Sequence, residues 1–210
     1  MKKHIRPVAL YLTLSVLAIV FLFPFYWLLI SAFKTQPQIF ATPPRLLPIP
    51  PAWNNFVDIW QETTLLRAFI NSSVTTAGHC ILALFLCSLA GYAFAKFPHA
   101  PGNNALFAFV LGTMMIPGAI TLIPVFVIMM KLDLVNTYWA LIIPGAAGAF
   151  GIFWMRQYMQ ANIPDDLIHA ARIDGCGEFG IYRHVALPIA RPALAALGVM
   201  LLIGSWNNLM

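Results

Sequence analysis

Three groups of side chains in this chain could do chemistry, and none is built like an active site. Ser205, Trp206, Asn207 and Asn208 place a hydroxyl, an indole and two amides at the end of an apolar segment. Amides in hydrocarbon need partners, so the cluster reads either as part of a polar pathway or as a contact between helices. Thr113, Pro117 and Thr121 lie in a second apolar segment. Together with Trp206, Asn207 and Asn208 they are the candidate pathway residues. The third group, from Pro164 through His169, Ala170, Ala171, Asp174, Gly175 and Cys176 to Pro188, lies in the largest hydrophilic stretch, Arg156–Arg191.

What is missing narrows the chemistry. There is no H-E-x-x-H, no G-x-S-x-G and no spaced Cys/His set, so neither a catalytic group nor a metal or cofactor ligand set is expected. No Gly-Lys dipeptide occurs, hence no phosphate-binding loop. An uphill process would take its energy from another chain. His79 is the one histidine within the apolar segments, and beside Cys80 it reads as a packed or hydrogen-bonded residue rather than a proton relay.

The elements that must hold these groups are apolar. Charged residues make up 9% of the 210, against roughly 25% in a soluble domain, and the mean hydropathy is +0.80. So few charges cannot clothe a water-soluble globule. The expected fold is all-α, a polytopic transmembrane helical bundle with five spans at 8–33, 68–95, 105–130, 138–155 and 192–210, none holding Asp, Glu, Lys or Arg. Ten-residue alternation, the sign of a barrel, is absent. The first segment exceeds a signal-peptide core and lacks a small-x-small cleavage site, so it is read as a retained span. With the N-terminus in the cytoplasm, eight Lys or Arg residues fall inside and four outside, following the positive-inside bias. The same bias accounts for the net charge of +5 without a nucleic-acid partner. Cys80, Cys87 and Cys176 form no C-x-x-C pair and read as free thiols.

Between the first two spans, residues 34–67 form the expected outer loop. Pro43, Pro44, Pro48, Pro50 and Pro51 exclude regular helix there, and Trp53, Phe56, Val57 and Trp60 then follow at helical spacing. Two readings stand for that helix: it lies in the outer interface, or it lids the bundle. Pro117-Gly118, Pro124, Pro144, Gly145, Gly148 and Gly151 interrupt the third and fourth spans, through either a pathway or close helix packing. In the inner loop, 156–191, Pro164-Asp165-Asp166 starts a short helix with Leu167, Ala170 and Ala171 on one face. Asp174-Gly175 ends it, and a second stretch carrying Phe179, Tyr182 and Val185 ends at Leu187-Pro188.

His169-Ala170-Ala171-x-x-Asp174-Gly175-Cys176, with Tyr182 and Leu187-Pro188, resembles the E-A-A-x-x-D-G-A…F…L-P loop of binding-protein-dependent ABC importer permeases. Phe23-Pro24-Phe25, Ser31-x-Phe33-Lys34, Trp53-Asn54-Asn55-Phe56, Asn71-Ser72, Gly91-Tyr92-Ala93, Met115-Ile116-Pro117, Tyr138-Trp139 and Ser205-Trp206-Asn207 extend the resemblance along the chain. It is similar to the carbohydrate-uptake branch, of the maltose and glycerol-3-phosphate type. The resemblance implies a multi-pass permease subunit of the bacterial inner membrane, moving a sugar or polyol-like solute and not itself an enzyme. Its partners would be a sister permease, a separate ATPase seated on the 164–188 loop, a solute-binding protein on the outer face and the lipid bilayer. His169 stands where the family usually has Glu, and Cys176 where it has Ala. His169 is expected either to retune the contact or merely to face solvent. The family usually has six spans, so a truncated, impaired permease is expected; a five-span variant or a membrane scaffold without its own pathway are the other readings.

Overall fold

The computed structural model describes residues 2–207, with side chains from Leu10 onward apart from Glu62. The described residues form helices and connecting turns, with no strand among them. Asn208, one of the candidate pathway residues, lies outside the described residues. The chain divides into two compact units, residues 1–67 and 68–210.

In the first unit, α1 (Lys2–Ser31) contains a 22-residue apolar stretch, Leu10–Ser31. At 1.5 Å per residue that stretch is about 33 Å long, enough to cross a bilayer. After it the chain turns through α2 (Gln36–Ile39) and a proline-rich run without regular structure to α3 (Asn54–Glu62). Polar side chains hold this run to main-chain carbonyls. Lys34 is 1% exposed, donates from Nζ to the Arg45 carbonyl at 2.6 Å, and stands 3.8 Å over the Trp27 ring. Gln38 Nε2 donates to the carbonyls of Ile49 and Pro50, and Asn55 Nδ2 to those of Ala32 and Lys34. Phe33 packs against Trp53 and Phe56 with centroids 5.1 Å away in each case.

The second unit is built on α4 (Leu65–Lys96), 32 residues long and apolar enough to span. The expected span at 105–130 is two helices, α5 (Asn103–Thr113) and α6 (Gly118–Lys131), bent by 103°. Pro117 lacks an N–H and takes an extended conformation at the break, so the helix cannot run through it. The expected span at 138–155 also differs. Only α7 (Trp139–Ile142) forms at its start, and α8 covers Ala149–Asn162. Gly145 at φ 77°, next to Pro144, takes the left-handed conformation that ends a helix, and this displaces the longer helix toward 162. Because Arg156 had marked the end of an apolar run, the polar half of α8 went unread.

Two glycines set the α4–α8 distance. A Cβ on Gly91 would lie 2.6 Å from Met155 Cβ, and one on Gly151 would lie 2.6 Å from Cys87 Sγ. Around this crossing Cys87, Tyr92, Met155, Met159, Tyr182 and Leu197 are buried as one core. The remaining elements are α9 (Asp165–Ile173), α10 (Glu178–Ile181), a π-helical turn (Tyr182–Ala186), α11 (Leu187–Ile189) and α12 (Arg191–Trp206). Leu187-Pro188 does not end the stretch as expected. The wider π turn leaves room for the Pro188 ring, so the helix runs on to Ile189 and bends by 79° into α12.

Candidate functional site

The motif residues of the 164–188 segment are carried on α9 and its C-terminal turn. Pro164 stands just before the helix in extended conformation, and Asp165 and Asp166 occupy the first turn, where acids complement the helix dipole. Asp174 caps the far end and Gly175 follows at φ 83°. The Cys176 amide donates to the Ala171 carbonyl at 3.0 Å and the Gly175 amide to the Arg172 carbonyl at 3.0 Å. This Schellman closure fixes the turn at 174–176 and explains the glycine, since a side chain is strained at that φ.

The helix is anchored from α4 and from α10. Lys96 Nζ donates to the Ile163 carbonyl at 2.6 Å and to Asp165 Oδ1 at 2.7 Å. The Lys96 ammonium, by hydrogen bond and charge, holds the Asp165 carboxyl below its ordinary range. Arg172 Nε donates to Glu178 Oε1 at 2.6 Å, Tyr92 OH donates to Glu178 Oε2 at 3.4 Å, and Ser88 Oγ shares a 2.7 Å hydrogen bond with Tyr182 OH. Ile168 and Ala171, one turn apart, form the buried face of α9.

That placement corrects the expected face. Ala171 is 8% exposed and packs in the core, whereas Leu167 and Ala170 stay outside. The exposed side instead carries Leu167, His169, Ala170 and Ile173, the turn beyond it Asp174, Gly175 and Cys176, and α10 Phe179. Ile173 is 86% exposed and Phe179 59%. Phe179 therefore does not share the buried side of its stretch with Tyr182. The apolar edge Leu167–Ile173–Phe179 has no sequence signature of its own, because its residues come from two helices and the turn between them sets their common side.

Among the described residues, the cavities beside α6 and beside His79 do not gather the candidate pathway residues together. Thr113 Oγ1 donates to the Val110 carbonyl and Thr121 Oγ1 to the Gly118 carbonyl, so each hydroxyl is satisfied on its own helix. Thr121 lines a cavity of about 390 Å³ beside α6, with Val125, Asn136 and Pro144; Thr113, Trp206 and Asn207 do not. Asn207 Nδ2 donates to the Ile203 carbonyl, and Trp206 meets Phe69 edge-on at 5.6 Å. Pro117 acts at the α5–α6 bend.

α9, anchored at both ends, thus presents an apolar edge and a fixed glycine turn on its exposed side. Residues 87–210 match the family described as the inner membrane component of binding-protein-dependent transport systems. The chain belongs to that family. Its members are multi-pass permeases of ABC importers. They are transport components rather than catalysts, and they work with a second permease, ATP-hydrolysing subunits and a solute-binding protein. The chain is 34% identical over 214 residues to the arabinooligosaccharides transport system permease of Halalkalibacterium halodurans, covering 99% of this chain and 76% of that one. It is 31% identical over 197 residues to the sn-glycerol-3-phosphate transport system permease of Yersinia pestis, covering 89% and 68%. A solved bacterial ABC transporter involved in import of the acidic polysaccharide alginate shares the fold, with TM-score 0.83, 24% identity, and 99% and 72% coverage.

Proposed function

We propose that this permease carries a sugar or polyol-like solute inward, passed to it by a solute-binding protein on the outer face. ATP hydrolysis on a separate subunit would drive it through the 164–188 loop. The N-terminus then lies in the cytoplasm, residues 34–67 outside and 156–191 inside, as one domain spanning the membrane. The observation that carries the coupling role is the edge Leu167–Ala170–Ile173–Phe179, held out from a buried core by paired charges on either side of α9. Apolar side chains that the fold could have buried through Ile168 and Ala171, yet leaves outside, suit a partner's groove.

The test is capture of the ATPase by the tagged complex for Ile173→Asp and Phe179→Asp. Both residues are exposed, so the folded permease should accumulate normally while capture falls at least tenfold and uptake with it. Normal capture and uptake in both variants would contradict the reading.

A further inference from the structure

Resting on that transport reading, we infer that His79 and Ser205 form a contact site for a hydroxyl group of an uncharged solute. Near the middle of α4, His79 lines a cavity of about 300 Å³ with Leu141, Pro144, Gly145, Met200 and Ser205. Its Nδ1 lies 3.0 Å from the Ile142 carbonyl. A carbonyl only accepts, so Nδ1 carries the proton, and in the neutral imidazole Nε2 is left with a lone pair. Nε2 has no hydrogen-bond partner among the described residues and is not sealed from the cavity. Ser205 Oγ, on the α12 side of the same cavity, is equally without a partner and equally unsealed.

Two polar groups on the approach along α4 are already committed. Asn71 Oδ1 accepts from Tyr138 OH at 2.8 Å, and Thr75 Oγ1 donates to the Asn71 carbonyl. Asn71, Thr75 and His79 follow one another at intervals of four, so this side of α4 leads polar groups toward the cavity. The site thus offers one fixed acceptor and one hydroxyl that donates or accepts, in apolar walls that no Lys or Arg joins. A sugar hydroxyl fits both, because it donates to Nε2 and exchanges a hydrogen bond with Ser205. A phosphate or carboxylate would leave an unpaired charge there, although relatives that handle charged solutes share the fold.

The experiment uses the complete transporter in proteoliposomes, with binding protein and ATP, and four probes: lactose and arabinotriose as neutral solutes, sn-glycerol 3-phosphate and digalacturonate as anionic ones. A neutral probe should be imported. His79→Leu and Ser205→Ala should each lower its maximal uptake about three- to tenfold, the range expected for one lost neutral hydrogen bond. His79→Gln, which keeps a neutral acceptor, should stay within twofold of the native rate. With Cys80→Ala and Cys176→Ser as background, a Ser205→Cys thiol should be alkylated at least threefold more slowly when the neutral solute is present. If His79→Leu fails to assemble, Ser205→Ala and the alkylation measurement still decide. Import of only an anionic probe, or unchanged uptake in both variants with no protection of the thiol, would overturn the inference and leave the transport reading standing. Import of none of the four would overturn the transport reading and this inference with it.

Discussion

Lys34 and Lys96 are both buried at the base of a long loop, yet they hold it in different ways. Lys34 has no carboxylate: its ammonium is answered by the Arg45 carbonyl and the Trp27 ring. Lys96 has the Ile163 carbonyl and also Asp165. The difference extends to their surroundings. Among the described residues of 34–67, the buried ones are Lys34 and Gln38, both polar, so the proline-rich run has no apolar core. The 156–191 loop rests on Met159, Ile163, Ile168, Ala171 and Ile181, with ion pairs at the rim. A loop held by single polar anchors should fail when one is lost, and a loop held by a core should not.

Lys34→Met is therefore expected to have the largest effect. It removes a charge-assisted hydrogen bond, about 1.5–3 kcal/mol, together with the cation–π contact. Trypsin cleavage after Arg45 in the purified complex should speed up at least tenfold; an unchanged rate would show that other contacts hold the run. Gln38→Ala should act in the same direction but by less, roughly three- to fivefold, since two neutral hydrogen bonds to carbonyls are lost. Lys96→Met should barely loosen its loop. Amide exchange in Asp165–Ile173 is expected to rise less than about threefold, because the core beneath α9 remains.

The smallest effect is that of pH. Asp165 is 72% exposed at its side chain and its carboxyl is held below the ordinary range by Lys96. A depressed carboxylate contributes stability that is fully present above its ordinary value of about 3.9 and is lost as the pH falls through its folded value. The protection factor in α9, which is exchange corrected for its intrinsic pH dependence, should thus be flat from pH 8 to 5 and fall slightly only below about 4. Cleavage after Arg45 in a protease suited to each pH should show no such step. Loosening of α9 already at pH 6 would contradict the assignment to Asp165. ATPase capture compared for wild type and His169→Glu between pH 6 and 7.5 separates a tuned contact from a solvent-facing one.

Much of the architecture can be read from charge-free runs and from proline and glycine. The apolar cores of α1, α4 and α12 follow from the first, and the break at Pro117 and the turn at Gly175 from the second. What the runs conceal is length, since a helix that leaves the membrane does not stop at its first charge; α4 continues to Lys96 and α8 past Arg156. The motif marks the 164–188 loop but not its exposed edge. Whether Ala170 or Ala171 faces outward depends on α9 rolling Ile168 into the core, a tertiary choice that residue types alone do not fix. His79 reads from the sequence as packed or hydrogen-bonded, and the Ile142 carbonyl decides for the second. Its open Nε2 is not legible there, because Ser205 stands 126 residues further along the chain.

If the turn after α9 lies against the ATPase, as proposed, Cys176 reports it without any substitution in the loop. It is the exposed thiol, whereas Cys87 is buried and Cys80 half-buried. A short thiol-to-amine crosslinker attached to Cys176 in the assembled transporter should join the permease to the ATPase subunit. Replacing Cys176 by Ser should abolish that product. Efficient attachment at Cys176 with no ATPase crosslink, in a complex that retains ATP-driven uptake, would contradict the account.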